Sequence, residues 1–89
     1  MNSDEPPTRR ESGQLAAFEH TVREALTRLA PIMHDAEVEA LAREARDLVS
    51  VFESWHQNPP IGMERTKVIE RVLDLHRNVE SMLAARRSP

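Results

Sequence analysis

Six apolar residues, Val38, Leu41, Ala45, Leu48, Phe52 and Trp55, recur at alternating steps of three and four through more than two heptads. That alternation returns to one side of an α-helix and to neither face of a strand, so the middle of the chain is dictated as an amphipathic helix. The opposite side carries Glu39, Arg43 and Asp47 at four-residue spacing, the weak ion pairs of a wetted helix surface. A helix with one oily stripe must bury it against another element. What flanks it therefore decides the fold.

Both flanks repeat the pattern. Upstream, Leu15, Phe18, Val22, Leu26 and Leu29 keep three-and-four spacing, and downstream so do Val68, Val72, Leu75, Val79 and Met82. Pro31 in "PIMHD" stops the first stripe, and Asp35 is placed to cap the second helix. "QNPPIG" interrupts again, because Asn58-Pro59-Pro60 cannot continue a helix. The spacing predicts helices over about 13–30, 36–57 and 62–86, in a single helical domain of residues 12–87. Thr8 with Glu11 has capping-box spacing, and Ser12 is a second candidate for the first N-cap. Residues 1–11 show no apolar period and read as a mobile N-terminal tail. Arg86 and Arg87 fall where cations favour the carbonyl end of the helix dipole. The expected fold class is all-α: a three-helix antiparallel bundle, or an extended helical hairpin plus one helix, in a dimer.

Composition narrows the function classes. Eighty-nine residues give a core of limited size, in a range where oligomerisation often supplements stability. The chain has no cysteine, so it has no thiolate metal site, thiol nucleophile or disulfide frame. The start, "MNSDEPPTRRES", lacks the apolar run of a signal peptide, and no segment approaches a membrane span, which sets the expectation of a soluble, cytoplasmic protein without a membrane partner. A net charge of −3 gives no bulk attraction to nucleic acid. Arg43, Arg46, Arg71 and Arg77 alternate with acids and build no basic stripe, so no nucleic-acid partner is expected. There is no glycine-rich phosphate loop and no recognisable nucleophile setting, hence no cofactor and no catalysis are expected.

An apolar surplus points to association. Ile69, Leu73 and His76 widen the stripe of the third helix on one side to an arc of roughly 180°, more than a single groove needs. Val51 likewise lies off the stripe of the second helix. Val51, Ile69, Leu73 and His76 are therefore the candidate interface of a homo-oligomer. His76 is expected to be half-buried over Ala42 and Ala45. Phe52 and Trp55, beside the proline corner, either seal the end of the bundle or, if exposed, form a docking anchor.

Two constellations carry chemistry. "FEHTVREALTRL" places His20 opposite the first stripe, hence exposed. The run His20-Thr21-Val22-Arg23 resembles the phosphoacceptor stretch of histidine phosphotransfer domains, and with Phe18 and Leu26-Thr27 it is similar to the H-box of sensor histidine kinases. Over that dozen residues the resemblance implies a phosphoacceptor role for His20, its chemistry supplied by partners. Glu24 stands where phosphotransfer domains keep a glycine, and Ala25 where kinases keep a proline. In "ESWH", Glu53 and His56 have the i, i+3 spacing of ferritin-like diiron sites, although Glu53 points away from the stripe. Together these residues indicate a small non-catalytic protein–protein interaction module, a homodimeric helical adaptor or regulator. The alternatives are a histidine phosphotransfer-like signalling module using His20 and, behind it, a metal-binding helical protein assembled across a dimer.

Overall fold

The computed structural model describes residues 9–87, with side-chain surroundings from residue 13 onward. Three helices, α1 (Arg9–Leu29), α2 (Ala36–Trp55) and α3 (Met63–Arg87), account for nearly all of them, with one 3-10 turn at Ala30–Ile32 and no strand among the described residues. α1 begins inside the segment expected to be a tail, so Ser12 lies within the helix and does not cap it. Once a helix is nucleated, arginine and glutamate extend it at one hydrogen bond per residue, and no apolar period is required. Thr8, the other half of the capping box, falls with the rest of residues 1–8 outside the described residues.

The breaks work as their residues require. Pro31 occupies the first turn of the 3-10 segment, where a missing N–H leaves nothing unpaired. Asp35 has extended backbone (φ −91°, ψ 130°), and its carboxylate accepts the Glu37 N–H at 2.9 Å, capping α2. α2 ends at Trp55, two residues before the expected boundary. There the N–H groups of Gln57 and Asn58 both turn back to the Ser54 carbonyl, at 3.3 and 3.0 Å. After the prolines, Gly62 takes φ +59°, the left-handed conformation that lets the chain enter α3.

The helices run up, down and up, and each packs on both others. Glu19 of α1 meets His56 at the end of α2, and Asp35 at the head of α2 meets Arg86 at the end of α3. α1 and α3 run parallel, since Gln14 meets Arg65 and Arg28 meets Glu80. The result measures 53 × 20 × 19 Å. All five stripe residues of α3 are buried, as are Val38, Ala45, Leu48, Phe52 and Trp55 of α2. Ala42 and Ala25, which the periodicity left off the stripes, join them. Small side chains at those points let the helices approach closely. Among the described residues no helix is long and apolar enough to cross a membrane.

Candidate functional site

At the proline-corner end, the Leu15–Glu19 stretch of α1 and the last turn of α2 leave a groove of about 250 Å³. Leu15, Ala16, Phe52, Trp55 and Pro59 line it with carbon, and Glu19 and His56 close one rim. Phe52 and Trp55 are only 2% and 6% exposed and pack edge to face at 5.3 Å. They are the floor of the bundle end, so the alternative of an exposed docking pair does not hold. The Trp55 indole N–H points at the Glu64 carboxylate, 3.4 Å away.

The rim is a chain of charges stitching α1 to α2. Glu19 Oε1 lies 2.8 Å from His56 Nε2, and Glu19 Oε2 accepts from Arg23 Nε at 2.9 Å. Arg23 reaches on to Glu53 at 3.5 Å. Burial pushes the Glu19 carboxyl up, but hydrogen bonds from His56 and Arg23 outweigh it and hold the group below the usual carboxylate range. Glu53 and His56, paired in the sequence by metal-site spacing, thus belong to separate links of this chain. Among the described residues no group of three or more His, Cys, Asp or Glu side chains is arranged around a common centre.

His20 stands on the outer face of α1, its side chain 79% exposed, with Glu24 3.5 Å from Nε2. The hydroxyls around it are engaged locally: Thr21 and Thr27 donate to the carbonyls of Ala17 and Arg23. Ser54, on α2, donates to the Val51 carbonyl.

The four candidate interface residues do not form one surface. Val51 is half-buried against the core, one turn beyond Asp47, on the α2 flank whose Glu44 and Asp47 hold Arg71 of α3 at 2.5–2.8 Å. Ile69, Leu73 and His76 lie on the other flank of α3, beside α1. His76 is exposed and shares a crevice with Thr21, Ala25, Arg28 and Glu80, so it does not rest on Ala42 and Ala45 as expected. The α1–α3 register places Ala17 and Thr21 level with Ile69 and Leu73. Leu73, at 49%, is the exposed large apolar side chain of this face; the others among the described residues, Ile61 and Met63, stand at the corner.

Sequence reasoning missed the ion pairs that bridge helices. Arg86 was read as complementing its own helix dipole, yet it binds Asp35, the cap of α2. Hydrogen bonds from Arg86 and from the Glu37 N–H hold the Asp35 carboxyl below its ordinary value. Arg28 does the same to Glu80. Acid and base placed at matching heights on adjacent helices was the available signal, and it becomes readable once the helices are known to run up, down and up. Compared with known proteins, the chain matches no family model, no curated protein and no solved structure.

Proposed function

We propose that this protein is a non-catalytic interaction module that acts by presenting the α3 edge beside α1, and that it associates with itself through that edge. The observation that carries the reading is Leu73, 49% exposed in the middle of the longest helix, with half-buried Ile69 one turn before it. A single exposed leucine is ordinary. Here it continues with Ile69, Ala17 and Thr21 into an uncharged strip between the Gln14–Arg65 and Arg28–Glu80 contacts, on a domain whose own core is small. Thr21, Thr27 and Ser54 donate their hydroxyls to backbone carbonyls rather than to a general base, which supports the non-catalytic part.

Sedimentation equilibrium tests the reading. Reversible dimerisation is expected over tens to hundreds of micromolar, and Leu73→Asp is expected to sediment as a monomer with unchanged helix content. A wild-type chain that stays monomeric throughout removes the self-association.

Phosphoryl transfer through His20 is a second reading, supported by the 79% exposure of that side chain. Glu24 opposes it, because a carboxylate 3.5 Å from Nε2 repels an incoming acidic donor site. Incubation with a phosphodonor followed by acid-labile phosphate analysis decides the matter: label that disappears in His20→Gln supports this reading, and no label ends it.

A further inference from the structure

The charges along the α3 edge are not symmetric about Leu73, and this fixes which way round a second copy must lie. Toward the N-terminus stands Glu70, exposed and without an ion-pair partner among the described residues. Toward the C-terminus stand His76 and Arg77, both exposed, Arg77 held only by a 3.6 Å contact with Asp74. Small residues lie along the same face of α3 on both sides, Thr66 before and Ala84 after.

Two copies packing α3 on α3 in parallel would set Glu70 against Glu70 and Arg77 against Arg77. Reversing one copy about a two-fold axis through Leu73 pairs residues whose numbers are equally distant from it. Leu73 then meets the partner's Leu73, and Ile69 is level with the partner's Arg77 across the axis. Glu70 and Arg77 turn to the same side of Leu73, so Glu70 faces the partner's Arg77, while Ile69 lies toward the partner's His76 on the other side. The acid–base contact of Glu70 is made twice, once on each side of the axis, as an isologous contact requires.

We propose that the occupant of this edge is a second copy of the chain, docked antiparallel on α3 with the two-fold axis at Leu73. The proposal rests on the self-association reading above and adds its geometry. The area sets its strength. A helix of 25 residues is about 37 Å long and about 10 Å wide. The seam, widened by Ala17 and Thr21, therefore covers roughly 800–1,000 Å² over both copies, at the low end for specific contacts. That area fits a weak, reversible dimer that forms over tens to hundreds of micromolar.

The absence of cysteine makes the geometry directly testable. Leu73→Cys, Ile69→Cys and Arg77→Cys are prepared separately, checked for unchanged helix content, and oxidised mildly. Leu73→Cys alone is expected to form a covalent dimer, and so is an equimolar mixture of Ile69→Cys with Arg77→Cys. Ile69→Cys alone is expected not to, because the two thiols would be about 12 Å apart along the seam, beyond disulfide reach. Charge reversal gives an independent reading: Glu70→Arg or Arg77→Glu alone weakens the dimer several-fold, and the double variant recovers most of the loss. Self-crosslinking of Ile69→Cys would establish a parallel pair and overturn the proposal. A dimer by sedimentation that crosslinks in none of these combinations overturns the geometry and leaves self-association standing. A monomer overturns both.

Discussion

Glu19 gives one carboxylate oxygen to His56 and the other to Arg23, so a single side chain on α1 ties down the last turn of α2. Asp35 and Glu80 play comparable parts, holding Arg86 and Arg28 from other helices. All three carboxyls sit below their ordinary range, Glu19 despite burial that pushes it up, Asp35 and Glu80 chiefly through their arginine hydrogen bonds. With folded-state values below unfolded ones, the unfolded chain binds more protons as pH falls through the carboxylate range. The stabilisation is complete above that range and is lost below it. The melting midpoint is therefore expected to hold between pH 7 and about pH 5 and to fall steadily below about pH 4. Asp35→Asn, which keeps a capping oxygen while removing the charge that holds Arg86, should flatten part of that acid limb. Removing Phe52 acts through packing instead. It is 2% exposed at the floor of the bundle end, and Phe52→Ala should cost about 3–5 kcal/mol in urea unfolding, a large share of the roughly 5–10 kcal/mol expected for a domain of this size.

Each helix begins and ends for a reason that one substitution can check. Gly62 has φ +59° and open space where a side chain would sit, so Gly62→Ala meets backbone strain alone. A loss of about 1 kcal/mol is expected, measured by denaturant titration, with no change in helix content. The element pattern was largely legible. The α3 stripe predicted from spacing is the buried set residue for residue, because a helix face that must leave water can be met only by that periodicity. The Asp35 cap was legible too, since a carboxylate before an apolar-periodic run has one local use. The start of α1 was not. Arg9–Ser12 carry no apolar period, and the helix continues through them on propensity and propagation.

The whole molecule adds what no stripe contains, the hand of the bundle. Counting back along α3 from the proline corner placed His76 at the right height but over Ala42 and Ala45. A stripe says which face turns inward and is silent about whether α1 lies to its left or right. The observed arrangement sets α1 on the flank that carries Ile69, Leu73 and His76, and sets Val51 on the flank by Arg71. That separation breaks the expected four-residue interface and leaves the Ile69–Leu73 edge as the proposed contact surface. The apolar groove at the corner has the core residues Phe52 and Trp55 as its floor, with Leu15, Ala16 and Pro59 around it. The measurement that tests this most directly is a dilution series of amide proton–nitrogen NMR spectra. Concentration-dependent shifts are expected along the exposed face of α3, centred on Ile69–Arg77, and at the facing Ala17–Thr21. Shifts centred instead on Phe52, Trp55 and Ile61, or spectra that do not change with concentration, would contradict the proposed contact surface.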